Sequence, residues 1–484
     1  MNLRRWQAES ISRAYVQYCS NVRHFMCLAT PGAGKTIMAA LLTKKLFEAG
    51  MIDMVMCFSP AIVVAEDFQR ELEVQTDKRL NGRLGADGCS LTYQAMSSLD
   101  ASFWEILENY RVFVIFDEIH HCAATEEGRS NSWGETIYRY IRGKSAYSLA
   151  LTGTPWRSDN IPIVLADYCR ESGKVHCDYR YGLGQAVADG VCREPRINAV
   201  DNSQIWVTEG TETHCYHSFK ELLLQSDCCS YQDLLDNDAL ITEVLRRATR
   251  KLDSLRKRAP NAGGLIVATS VSHARKIAHL LHTELNETAE IATYAEDSPL
   301  ATIRQFRNST SKWIISVGMI SEGTNLPRLQ ICCYLTRVKT ELYFRQVLGR
   351  ILRATGQEGE RGYLFMPAEP TLIEYALRVS EDIPDSNILS FESIESATDV
   401  FVGSSSSSDE QEREWSNANP VIDISTGAGG EYVSGELTGT QSALAQSYEA
   451  CINISGYFVQ KLLEISGNDL GGRGTPSGRV QAPL

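Results

Sequence analysis

Short apolar runs alternate with helically spaced segments from residue 3 to about residue 380. The runs at 25–28, 54–59, 89–92, 111–116 and 147–152 have the length and composition of strands buried on both faces. The stretches between them repeat apolar positions every three to four residues, as amphipathic helices do. Such alternation predicts an α/β fold, a parallel sheet covered by helices on both sides. A second series begins at Gly264. It predicts strands at 264–269, 313–317, 331–335 and 362–366, with helices at 272–285 and 340–353. Between the two series, 201–260 is polar, mostly helical in pattern, and carries a basic stretch at 246–258. After about residue 390 the pattern lapses into a serine run, 404–408, followed by an acidic cluster, the composition of a solvated linker. Helical spacing returns at 443–465, through Leu444, Tyr448, Cys451, Ile452, Phe458 and Leu462, and predicts one docked accessory helix. The glycine-rich end is expected to be disordered. The expected domains are a first lobe at 1–195, a helical linker or insertion at 196–260, a second lobe at 261–390, and a mostly disordered acidic tail at 391–484.

Composition narrows the class. The chain has 484 residues, 43% hydrophobic and 22% charged, enough to build real cores. No run approaches the ~20 apolar residues of a membrane helix, and Gln7, Glu9 and Ser10 interrupt any secretory leader. A soluble, cytoplasmic protein is expected. The 14 cysteines lie in apolar strands or lack ligand spacing, so they read as small buried hydrophobes. The net charge of −13 at first argues against a nucleic-acid partner. From residue 391 onward, however, the chain holds 13 acidic and 4 basic residues, which leaves the body nearly neutral. Global charge neither supports nor excludes nucleic acid.

The candidate chemistry starts at Ala29-Thr30-Pro31-Gly32-Ala33-Gly34-Lys35-Thr36. A glycine-rich turn between a strand and a helix aims backbone N–H groups and the helix dipole at bound phosphate. Gly32 and Gly34 allow close approach, Lys35 reaches the β- and γ-phosphates, and the Thr36 hydroxyl suits Mg²⁺. Asp117-Glu118 follows the apolar strand at 112–116, where ligands bind in open α/β sheets. Asp117 would hold Mg²⁺ through water, and Glu118 would orient and deprotonate the attacking water. An acidic helix start is the plainer reading of that pair, but the phosphate loop upstream outweighs it. Gln346, Arg350 and Arg353, spaced by four and three, share one face of the predicted helix at 340–353. They supply the positive charge that the γ-phosphate requires, provided that the second lobe closes over the first. The plainer reading there is a solvated surface helix.

These motifs in this order resemble superfamily 2 helicases and translocases over residues 3–366. The resemblance implies two tandem RecA-like lobes with an ATP cleft between them. Members commonly carry alanine where Ala29 stands, so the departure from a general phosphate loop points to this superfamily. Leu3-Arg4-Arg5-Trp6-Gln7 resembles the adenine-recognising segment and implies that Gln7 reads the base. Ser59-Pro60 and Thr92-Tyr93-Gln94 resemble segments that grip the nucleic-acid backbone. Leu151-Thr152-Gly153-Thr154-Pro155 resembles the coupling motif, with Thr152 and Thr154 linking hydrolysis to lobe movement. Ser321-Glu322-Gly323 resembles a second-lobe motif touching phosphate and nucleic acid. The resemblance places His120 in the acidic motif as a coupling residue, in preference to a zinc site with His121 and Cys122. Asn325 stands where relatives often carry aspartate.

Asp117-Glu118-Ile119-His120 with Thr152-Gly153-Thr154-Pro155 is most similar to RadD-type helicases and to the motors of type I and III restriction enzymes. DEAD-box RNA helicases have different residues at both places. The implied function is an ATP- and Mg²⁺-dependent helicase or translocase, on DNA sooner than RNA. A monomeric motor is expected, with the acidic tail as a possible handle for a protein partner. Two alternatives stay open: a duplex translocase that does not separate strands, and a nucleotide-gated ATPase that recruits a nuclease or other effector.

Overall fold

The computed structural model describes residues 3–382, apart from 124–129, 156, 158–160, 171–173, 210–211, 227, 319, 321–325 and 357–358, together with 450–454 and 458–461. The acidic run and the glycine-rich end lie outside the described residues.

The first lobe is built on six parallel strands. Their spatial order is Gly88–Thr92, Met54–Ser59, Val112–Phe116, Tyr147–Thr152, His24–Ala29, Tyr179–Tyr181. Alternate residues of each strand enter opposite cores, as the period of two requires. Phe25 and Cys27 join the core beneath helices Arg5–Cys19 and Lys35–Glu48, while Met26 joins the core on the other face. Phe113 and Ile115 divide in the same way from Val112, Val114 and Phe116. Burial on both faces is why these segments read as unbroken apolar runs.

The second lobe orders its strands as Ala289–Ala292, Trp313–Ser316, Gly263–Ala268, Leu329–Leu335, Arg361–Pro367, Glu194–Asn202, Phe458–Lys461. All pair in parallel except the last, which runs antiparallel to Ala199–Asn202. The two lobes thus form the expected pair of RecA-like parallel sheets.

Three sequence expectations change. The segment at 196–260 opens with strand rather than helix: Glu194–Asn202 belongs to the second sheet, and Ile205–Glu209 pairs with Glu212–Tyr216. Only then come helices Phe219–Gln225, Tyr231–Leu235 and Asp238–Arg256. The described part of 443–465 is also strand. Ala450–Ile454 pairs with Ile205–Glu209, and Phe458–Lys461 closes the sheet edge. An unpaired edge offers a row of backbone donors and acceptors, and pairing to it overrides the helical spacing. Finally, the helix predicted at 340–353 spans Glu341–Ile351, so Arg353 lies past its end.

Candidate active site

The phosphate loop leaves strand His24–Ala29 and enters helix Lys35–Glu48 through Gly34, which caps the helix in the left-handed region at φ 93°. Gly32 is also left-handed, at φ 83°. Residues 4–7 brace the loop from behind. Arg4 donates to the Ala33 carbonyl at 2.6 Å, and the Gln7 amide donates to the Gly34 carbonyl at 2.9 Å. The Gln7 side-chain oxygen meanwhile accepts from the Arg4 backbone N–H. The resemblance assigns Gln7 to the adenine base; in this structure both ends of its amide are engaged by backbone. Thr30 is buried and anchors the loop start through its N–H to the Tyr181 carbonyl at 3.1 Å.

Across from the loop, Asp117 is buried, and its N–H donates to the Phe58 carbonyl at 2.9 Å. Glu118 adopts φ 50°, ψ 52°, a conformation that few side-chain-bearing residues take up outside tight turns. That turn points its carboxylate back at the loop, where Oε1 accepts from Lys35 Nζ at 2.5 Å. The other oxygen, Oε2, accepts from the Gly153 N–H at 3.2 Å and lies 3.5 Å from His120 Nδ1. His120 Nδ1 also lies 2.9 Å from Thr152 Oγ1, which donates to the Thr154 carbonyl at 2.9 Å. Arg157 donates to the His120 carbonyl at 2.6 Å. A chain of short contacts therefore runs from Lys35 through Glu118 and His120 to the loop at 152–154.

The two carboxylates differ electrostatically. Burial, then the neighbouring Glu118 charge, pushes Asp117 well above the ordinary aspartate value. Burial opposes ionisation of Glu118 as well, but Lys35 and His120 hold it below the usual carboxylate range. One group is thus poised to gain a cation, and the other already has one.

The second lobe meets this site directly. Lys35, Thr36, Asp117, Glu118, Gln346, Arg350 and Arg353 line one cleft of about 510 Å³. The three second-lobe residues converge there as expected, though not as one helical stripe. Arg353 pairs through its backbone with Cys192, and its Cγ lies 3.1 Å from where a Cβ on Gly32 would stand. Sequence reasoning did not find three further participants. Arg307 lines the cleft from another helix, Gly349 packs on Pro31, and Cys192 donates its thiol to the Pro31 carbonyl at 3.5 Å. Gly349 lies inside the Gln346–Arg353 segment but has no side chain to signal a role, and Arg307 and Cys192 belong to no motif. A larger cleft, about 1010 Å³, lies on the other side of Pro31 and Gly349. Of the expected catalytic and metal-binding residues, none lines it.

Among the expected nucleic-acid contacts, Pro60 lines the smaller cleft, and Ser59 is buried 4.0 Å from Cys57 Sγ. Thr92 caps helix Tyr93–Ser97 through the Ala95 N–H, with Gln94 exposed on the first turn. Ser321, Glu322 and Gly323 lie outside the described residues. No helix among the described residues is long and apolar enough to cross a membrane.

Two RecA-like lobes with a phosphate loop facing arginines across a cleft resemble the superfamily 2 helicase-like class, and the comparisons point the same way. Residues 1–157 match the family model "Type III restriction enzyme, res subunit". Among solved structures, a fragment assigned as the HsdR subunit of a type I restriction enzyme from Vibrio vulnificus aligns at TM-score 0.54 and 16% identity. It covers 77% of this chain and 65% of that one. The ATP-dependent type ISP restriction-modification enzyme LlaBIII, bound to DNA, aligns at TM-score 0.52 and 14% identity, over 79% of this chain and 30% of that one. These establish the fold: the chain is similar in architecture to these restriction-enzyme proteins. The uncharacterized protein Rv2917 of Mycobacterium tuberculosis is 30% identical over 85% of this chain and 68% of its own length. ML1624 of Mycobacterium leprae is 31% identical over 77% of this chain and 63% of its own. The chain belongs to the family of these mycobacterial proteins and spans about two thirds of their length.

Proposed function

We propose that this protein is an ATP-driven motor that moves along DNA, with ATP bound between the lobes. The observation that carries the reading is the single cleft holding Lys35, Asp117 and Glu118 from one lobe and Gln346, Arg350 and Arg353 from the other. The triphosphate would lie at the N-terminus of helix Lys35–Glu48, in the field of its free N–H groups. Lys35 would then turn from Glu118 to the β- and γ-phosphates, freeing the carboxylate to orient and deprotonate the attacking water. Arg350 and Arg353 would neutralise charge on the γ-phosphate from the opposite lobe.

Mg²⁺ suits this site. Thr36 and Asp117 offer hard oxygen donors on the same cleft, and Asp117 is a buried carboxylate whose charge a cation would relieve. When bound there, the ion would be held by Thr36 and Asp117 and would supply positive charge against the phosphates. The contacts from Glu118 through His120 to Thr152 and Thr154 give phosphate loss a route to lobe movement. Grip on the backbone would come from both lobes and be salt-dependent and largely blind to sequence. Likeness to a restriction-modification enzyme bound to DNA supports DNA as the track.

The test is ATP turnover of the full chain and of Lys35→Ala with single-stranded DNA, duplex DNA, forks and RNA. Duplex DNA should stimulate the wild type, and Lys35→Ala should be inactive with every substrate. Stimulation by RNA alone would remove the DNA assignment, and no stimulation by any nucleic acid would remove the motor.

A further inference from the structure

Arg193, at the junction between the lobes, is one of the largest fully buried side chains in the protein. It does not line the nucleotide cleft. Its guanidinium instead gathers one neighbourhood. Nε donates to Glu360 at 2.6 Å, one terminal nitrogen to the Leu329 and Ile351 carbonyls at 2.6 and 3.2 Å, and the other to the Pro327 carbonyl at 3.1 Å. Its backbone N–H donates to the Leu352 carbonyl at 2.7 Å. Glu360 holds the far side of the same turn, accepting from the Thr355 hydroxyl at 2.6 Å and the Thr355 N–H at 3.1 Å. Between these anchors lies Arg353, facing Gly32 of the phosphate loop. The residue before Arg193, Cys192, pairs with the Arg353 backbone and touches Pro31.

A buried ion pair is costly unless its geometry is good and its remaining hydrogen bonds are made. Leucine or methionine would fill the space without that cost, so stability alone is a poor reason for arginine here. Only arginine's planar fork can reach several carbonyls in fixed directions at once. The carbonyls its fork reaches are that of Ile351, the last residue of helix Glu341–Ile351, and those of Pro327 and Leu329, at the entry to strand Leu329–Leu335.

We infer that Arg193, locked by Glu360, is a positioning residue for ATP turnover that mounts the Ile351–Thr355 turn so that Arg353 faces the phosphate loop. The inference rests on the motor reading for its kinetic consequence, while the mounting itself is testable without it. Arg193→Lys keeps the charge but replaces the fork with a single nitrogen. Glu360→Gln keeps the shape, removes the charge, and guards against the first variant failing to fold.

Both variants should bind a fluorescent ATP analogue within a few-fold of wild type but turn over ATP about 10²-fold more slowly, the cost of roughly 1 Å misplacement of a reacting group. In an Arg353→Ala background the same changes should have little further effect, because groups that act through one another are not additive. Hydrogen exchange of the full chain should show peptide 350–356 losing protection while helix Lys35–Glu48 keeps it. Wild-type turnover in both variants, or an equal loss with and without Arg353, would overturn the positioning role. If the wild type hydrolyses no ATP, the motor reading fails, and exchange alone decides the mount: unchanged protection of 350–356 overturns it.

Discussion

Replacing Gly349 by alanine sets two physical effects against each other. Gly349 lies in helix Glu341–Ile351, where alanine favours the helix by about 1 kcal/mol over glycine. The second lobe alone should therefore gain stability. The new methyl, however, would stand 2.6 Å from Pro31 Cβ and 3.0 Å from Pro31 Cγ. Pro31 is a rigid ring inside the phosphate loop, so it cannot swing aside as a long side chain would. Restoring an ordinary carbon–carbon separation of roughly 3.5 Å requires the two surfaces to part by about 1 Å. The surface that retreats carries Gln346, Arg350 and the approach to Arg353. A displacement of that size at a reacting centre costs on the order of 10² in rate. The assay is steady-state ATP turnover with saturating duplex DNA, beside thermal unfolding and affinity for an ATP analogue. Gly349→Ala should unfold no earlier than wild type, bind nucleotide nearly as well through the untouched Lys35 lobe, and hydrolyse it far more slowly. Turnover within twofold of wild type would refute the claim that the Pro31–Gly349 contact sets the closed geometry.

Three further outcomes are expected. Arg353→Ala should retain nucleotide binding and lose roughly 10³–10⁵ in turnover, as when an arginine finger is removed; near-normal turnover would cancel the assignment. His24, whose Nδ1 lies 2.8 Å from Ser148 Oγ, is lowered by burial from 6.5 to about 4. A histidine that binds its proton more weakly when folded contributes stability that is complete above its ordinary value and drains as pH falls towards the folded one. The wild type should thus lose up to about 3 kcal/mol between pH 7 and pH 4 that His24→Asn does not lose; parallel urea midpoints for the two proteins would contradict this. Removing residues 395–484 should lower the unfolding temperature, because it strips the strands beside Ile205–Glu209 and Ala199–Asn202. Removing only 400–435 should not, and calorimetry of the two truncations separates the cases.

What the chain reveals before folding follows from which signals are local. The central strands are legible because burial on both faces leaves apolar runs such as Val112–Phe116. The phosphate loop and Asp117-Glu118 are legible because close approach to phosphate and metal demands particular residue types at short spacing. Glu194–Asn202 is not legible. It buries Asn198, Asp201 and Asn202, and the first two are satisfied by distant partners: Asn198 donates to the Leu364 carbonyl, and Asp201 accepts from the Phe219 N–H. No local composition reports such a strand. Arg353 left the predicted helix for a similar reason. The carbonyls of Ile351 and Leu352 are captured by Arg193, which lies more than 150 residues away in sequence. The tail segment has apolar spacing that fits a helix, whereas the open sheet edge determines its pairing.

Glu194–Asn202 also bears on how the protein comes off the ribosome. It is synthesised before the rest of the sheet it joins, and Glu194 meets its cross-strand partner Arg361 only 167 residues later. The other neighbour, Phe458–Lys461, arrives later still. The six strands of the first lobe, by contrast, are complete by Tyr181 and can pair while the remainder is still being translated. Long-range parallel pairing is slow, and an unpaired edge is prone to stray association while it waits. Synthesis should therefore pass through a stage with one finished lobe trailing an orphan strand. That interval is where a nascent-chain chaperone would matter most to this protein.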